Sequence, residues 1–158
     1  MIATPTVAIE LKPAPSPEVA AQALCTLPGL VFLDSSGADH NRGRRSYLMA
    51  DPFLMLSSRG KRTRLTSKGQ VQELVGDPFA LLQGLLRQYR CERADRQIPF
   101  QGGVAGYWGY DLGRQVESLP ATAVDDLGLP ELLVGFYDWA IVWDHLLQKS
   151  WLCATGLP

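Results

Sequence analysis

Residues 53–75 read FLMLSSRGKRTRLTSKGQVQELV. Three short strand-like runs stand out: Phe53 to Ser58, Thr63 to Thr66 and Val71 to Val75. They are separated by Arg59-Gly60-Lys61 and by Lys68-Gly69. Glycine reaches the positive φ that a tight hairpin turn needs, so runs of this length with these separators predict an antiparallel meander.

Upstream, Pro13 to Pro17 (PAPSP) cannot lie inside a helix. Beyond it, Val19, Ala20, Ala23, Leu24 and Leu27 recur at helical spacing up to the stop at Pro28-Gly29. Leu30 to Asp34 and Ser46 to Ala50 read as strands on either side of a polar loop. Downstream, Asp77-Pro78 opens a second helix, with Asp77 as N-cap and Pro78 where its missing N–H costs nothing. Its apolar face is predicted from Phe79, Leu82, Leu85, Leu86 and Tyr89. A polar connection, Cys91 to Pro99, leads into PFQGGVAGYWGYDLGRQVESLP, residues 99–120. A strand is expected there, its glycines crossed by another backbone or a ring, with Tyr107, Trp108 and Tyr110 as core or interface rings. After a Pro/Asp-rich loop, Phe136 to Asp144 (FYDWAIVWD) reads as one strand, paired with Leu146 to Ala154 through a turn at Asp144-His145. The expected fold is α+β: mostly antiparallel sheet built of meander and hairpins, with two or three flanking helices, in a single domain over 1–158.

Composition narrows the function classes. Hydrophobic residues make up 46% and charged residues 20%, ordinary for a globular chain, and the net charge of −1 gives no general attraction to nucleic acid. Cys25, Cys91 and Cys153 lack the paired spacing of a disulfide framework or zinc site, which suits a reducing cytoplasm. No apolar run is long enough to span a bilayer, and no secretory leader is recognisable. The expectation is a cytoplasmic protein with no nucleic-acid or membrane partner.

The residues that could carry chemistry form no complete set. Gly103-Val104-Ala105-Gly106 lacks the GxGxxG spacing of a phosphate cradle. Asp111, Arg114 and Glu117, three apart, suit a charge-paired helix face. His40 and His145 are far apart, without neighbouring metal-ligand patterns, and read as loop histidines. Ser35 and Ser36 lack a nucleophile elbow. Arg42, Arg44 and Arg45, with Lys61, Arg62 and Arg64, read as solvated basic loops rather than an RNA surface. No catalytic and no metal-ligating residue is assigned.

The run of residues 99–120, the Asp-rich loop after it and LPELLVGFYDWAIVWDH together closely resemble the N-terminal region of the aminodeoxychorismate and anthranilate synthase component I family. A weaker match covers Leu33 to Pro52, LDSSGADHNRGRRSYLMADP. The YDLGR, ESLP and YDWA versions lean toward the aminodeoxychorismate branch. The resemblance implies the N-terminal part of an enzyme about three times longer, which aminates chorismate in 4-aminobenzoate and folate synthesis. It places the chorismate site, the Mg2+ ligands and the acid–base groups in a C-terminal catalytic domain, absent here. The chain alone is therefore expected to be inactive and to hold no cofactor. A glutamine amidotransferase subunit is the implied partner. The resemblance also implies a tryptophan pocket in this region, with Ser35 and Arg44 matching its serine and arginine. A stand-alone amino-acid-binding or docking module is the alternative.

Overall fold

The computed structural model describes residues 6–35, 43–92, 94–120, 122 and 124–158. Ser36, His40 and Arg42 lie outside the described residues. In chain order the elements are β1 (Val7–Glu10), α1 (Pro17–Ala23), β2 (Val31–Leu33), β3 (Arg45–Met49), β4 (Leu54–Arg59), β5 (Arg62–Ser67) and β6 (Gln70–Val75). They continue with α2 (Pro78–Gln88), β7 (Gly103–Trp108), a 3-10 helix (Tyr110–Gln115), β8 (Leu132–Tyr137), β9 (Trp139–Asp144) and β10 (Lys149–Ala154). The α+β expectation holds: two five-stranded sheets carry the fold, with few helices. The chain divides into two compact units.

The first unit comprises Met1–Phe53, Cys91–Val104 and Phe136–Pro158. Its sheet has the order β1-β10-β9-β3-β2, and its strand pairs are antiparallel. Alternation sends Ala140, Val142 and Cys153 to one face, where Ile98 closes over them and Ala8, Tyr47, Phe100 and Trp151 pack around. Tyr47 and Phe100 meet edge-to-face, 6.1 Å between centroids. The polar connection before β7 is folded by one side chain. The buried Gln101 accepts from Ala94 N and donates to the Ile98 carbonyl.

The second unit comprises Leu54–Arg90 and Ala105–Gly135. Its sheet has the order β6-β5-β4-β8-β7. The meander of the opening stretch forms as read: Arg59 pairs with Arg62 across the first turn and Ser67 with Gln70 across the second. Lys68 and Gly69 both have positive φ, 49° and 75°, as a two-residue hairpin turn with the twist of its strands requires. In α2, Asp77 accepts from Phe79 N at 2.9 Å and Pro78 follows as the first helical residue. Gly106 in β7 lies against β8 so closely that a Cβ would sit 2.1 Å from the Leu133 carbonyl oxygen, at a φ of +153°. The crossing backbone expected at these glycines is β8.

Several expectations need correction. FYDWAIVWD is not one strand: the chain leaves β8 at Tyr137 and enters β9 at Trp139. Between them the Asp138 carbonyl accepts from both Thr155 N (2.7 Å) and Thr155 Oγ1 (3.0 Å). Helix α1 stops at Ala23, because Cys25 N and Leu27 N bond three residues back, to Gln22 and Leu24, and tighten the chain into turns before Pro28. Phe79 and Leu86 of α2 face water, and Leu82 supplies the buried contact. Strand β1 had no sequence signal. Tyr107, Trp108 and Tyr110 are not core rings; they are 38%, 50% and 88% exposed.

Candidate functional site

The first unit gathers a polar node where β2 ends, β3 begins and β9 turns toward β10. Register places Arg45 opposite Asp144 and Ser46 opposite Trp143. Ser46, fully buried, sits at the centre. Its Oγ accepts from Ser35 N at 3.0 Å, donates to Asp34 Oδ1 at 2.9 Å, and lies 2.7 Å from His145 Nε2. A hydroxyl has one proton and two lone pairs. With the Ser46 proton directed at Asp34, the remaining lone pair of Ser46 Oγ accepts from His145 when the imidazole is in the tautomer with its hydrogen on Nε2.

Asp144 is the buried charge of the node, 3% exposed at its side chain. Arg44 Nε and a terminal Arg44 nitrogen reach its Oδ2, each at 2.7 Å, with Arg45 at 3.4 Å. Leu147 N donates to its Oδ1 at 3.1 Å. Burial pushes the Asp144 carboxyl up, but the Arg44 and Leu147 hydrogen bonds and the two guanidinium charges outweigh it and hold the carboxyl below its usual range. The same hydrogen bond raises Arg44 above its ordinary value. Trp143 donates its indole N–H to the Pro15 carbonyl at 2.8 Å, tying the proline-rich segment to β9.

The two residues singled out from sequence, Ser35 and Arg44, both belong to this node. The Ser35 hydroxyl donates to the Arg45 carbonyl at 2.7 Å, and Arg44 grips Asp144. Sequence reading missed Asp34, Ser46 and Asp144 and treated His145 as a loop residue. Only strand register joins them, and register across 99 residues leaves no local signal. Serine, histidine and aspartate are present, but not in the order of a nucleophilic triad. Asp34 contacts the serine rather than the imidazole, and Ser46 is closed to substrate. The node holds strands together and can present hydrogen-bonding groups at its rim. Elsewhere, Asp111 and Arg114 pair at 2.9 Å, and Arg114 also donates to the Leu119 and Pro120 carbonyls. Glu117 falls beyond the 3-10 helix. Among the described residues no group of three or more His, Cys, Asp and Glu is placed to hold a metal, and no helix is long and apolar enough to cross a membrane.

The fold and node define an antiparallel α+β protein whose first unit holds a buried carboxylate, Asp144, gripped by a part-exposed arginine. No family model matches the chain. It is 40% identical over 128 residues to aminodeoxychorismate synthase component 1 of Escherichia coli, covering 77% of this chain and 27% of that protein. It is 39% identical over 123 residues to the Salmonella typhimurium protein of the same name, with the same shares. Anthranilate synthase component 1 of Acetivibrio thermocellus is 35% identical over 119 residues, 75% of this chain and 24% of that one. Among solved structures, anthranilate synthase component I from Streptococcus pneumoniae superposes with a TM-score of 0.55 at 25% identity, over 84% of this chain and 28% of the other. The chain belongs to the family of aminodeoxychorismate and anthranilate synthase component 1 and spans about a quarter of the length of these relatives. The names of these relatives number them as component 1.

Proposed function

We propose that the chain is the N-terminal, non-catalytic portion of an aminodeoxychorismate synthase component 1. The complete enzyme aminates chorismate to 4-amino-4-deoxychorismate in the cytoplasm, using ammonia from a glutamine amidotransferase subunit. The observation that carries this reading is the 40% identity to a protein of that name over 77% of the chain. Anthranilate synthase component 1, at 35%, is the runner-up. The Mg2+ that the resemblance implies does not fit these residues. The buried carboxylate Asp144 is already taken up by guanidinium and amide donors, and among the described residues no group of three His, Cys, Asp or Glu is placed to hold a metal. Its ligands are assigned to the part of the enzyme outside these 158 residues. Incubating the chain alone with chorismate, ammonia and Mg2+ should give no aminated product by chromatography. Product formation would overturn the reading.

A second role, tryptophan binding at Ser35 and Arg44, is supported by their shared place at the rim of the polar node. Ser35 Oγ spends its proton on the Arg45 carbonyl and so meets an ammonium as an acceptor. The Arg44 side chain, though anchored, is still 29% exposed and can reach a carboxylate. Calorimetry at millimolar tryptophan tests this, and absence of heat removes it.

A further inference from the structure

The four strands at the sheet edges are protected unequally. An edge strand offers unpaired N–H and C=O groups to any passing chain, and proteins blunt such edges with charges, short length or cover. In the first unit, β2 is three residues long, and β1 ends in Glu10, which pairs with Lys12 and Lys149. In the second unit, β6 carries Gln70, Gln72 and Glu73, with Glu73 bound to Arg64 at 3.1 Å. Strand β7 carries no such device. Its exposed half, Gly106-Tyr107-Trp108, has no charge, and Tyr110 follows at once, 88% exposed. The next charges along the chain, Asp111 and Arg114, neutralise each other at 2.9 Å, and Glu131, beside Gly109, is turned to accept from Gly60 N. Further along, Val116, Val124, Leu127 and Leu129 are all more than half exposed. On its inner side β7 is pressed onto β8 at Gly106, and its outer edge is the end of the sheet that carries no charge.

We propose that the outer edge of β7 is a strand-addition site, and that its occupant is an extended, apolar segment from the part of the parent polypeptide that these residues do not span. This rests on the function proposed above. Three observations select the occupant. The edge is uncharged, so an acidic or basic partner gains nothing there. Its aromatic rings supply large contact area at little conformational cost. The curated relatives also carry more than twice as much further chain as is matched here, 27% of their length being covered. Backbone pairing along Ala105–Trp108 supplies register, and Tyr107, Trp108 and Tyr110 supply buried area.

The test mixes the chain with the part of the Escherichia coli relative lying outside the matched quarter, purified as a separate polypeptide, and follows amide exchange. Complex formation should slow exchange at Ala105–Trp108 by tenfold or more. Trp108→Lys, at a half-exposed position, should weaken association at least tenfold while leaving the melting temperature of the free chain unchanged. A complex in which these amides stay unprotected overturns the proposal, as does no complex at all. Self-association of the chain that protects β7 also overturns it, because a second copy would then be the occupant. Chorismate amination by the mixture is read separately. Product with β7 unprotected sinks only the strand-addition site, whereas protection of β7 without product sinks the functional reading instead.

Discussion

Arg44 places Nε and a terminal nitrogen on the same carboxylate oxygen of Asp144, each at 2.7 Å, across 100 residues of sequence. This charge-assisted contact closes β9 onto the start of β3. Asp144→Asn should lower stability by about 2 kcal/mol at neutral pH, since bonds to a charged group are worth roughly 1.5–3 kcal/mol. The sign with pH follows from a folded carboxyl held below its ordinary value of 3.8. The stabilisation is complete above that value and is lost as pH falls through the lower, folded one. Urea melts of both proteins at neutral pH and near pH 3 should therefore show the gap closing in acid. A gap that stays constant would contradict the role given to Asp144.

Two glycines predict opposite outcomes for the same substitution. Gly106→Ala places a methyl 2.1 Å from the Leu133 carbonyl at a strongly positive φ. It should cost about 3 kcal/mol or more or abolish soluble expression. Gly84→Ala, inside α2 with nothing within 4 Å, should stabilise by up to about 1 kcal/mol. Thermal melts of the pair check both directions.

Two buried serines form a similar contrast. Ser46 Oγ makes three hydrogen bonds, whereas Ser150 Oγ is buried with no partner among the described residues. Removing an unsatisfied buried hydroxyl relieves a desolvation cost, so Ser150→Ala should be neutral or raise stability by about 1 kcal/mol. Ser46→Ala strands Asp34, Ser35 N and His145, and should cost about 2 kcal/mol. Chemical denaturation midpoints at equal m-value distinguish the two.

Burial pushes the Cys153 thiol up to about 11, with a smaller contribution from Asp95. A thiol reagent at pH 8 should modify the exposed Cys25 rapidly and Cys153 only after unfolding. Burial likewise pushes Tyr137 up to about 12, while its hydroxyl donates to the Gly29 carbonyl at 2.6 Å. Both groups keep their protons longer when folded. Their contribution is intact below their ordinary values of 9 and 10 and fades as pH rises through the shifted ones. Stability measured from pH 8 to 11 should fall, and a thiol titration of the native chain that counts Cys153 at pH 8 would refute the burial argument.

What could be read directly from the chain was local. Lys68-Gly69 demanded a two-residue turn because only a φ-tolerant pair closes a hairpin with the right twist. Asp77-Pro78 announced α2 because the cap and the missing N–H act within one turn of helix. The glycines around Gly106 signalled a crossing backbone, and the motif they share with Tyr107 and Trp108 pointed to the family. Ser35 and Arg44 were also visible, through the family resemblance over Leu33 to Pro52.

Tertiary structure alone decided the rest. Strand β1 exists because β10, more than 140 residues later, offers it an edge at Val7↔Ala154. The break at Asp138 separates β8 from β9, and FYDWAIVWD shows no sign of it because the partner of the turned carbonyl is Thr155. The node of Asp34, Ser46, Asp144 and His145 depends on the pairing of β3 with β9. Side chains alternate with a period of two, so a one-residue slip in that pairing would dissolve it. Turn chemistry and caps are short-range energies, written where they act. Register and ion pairing arise only when distant strands meet.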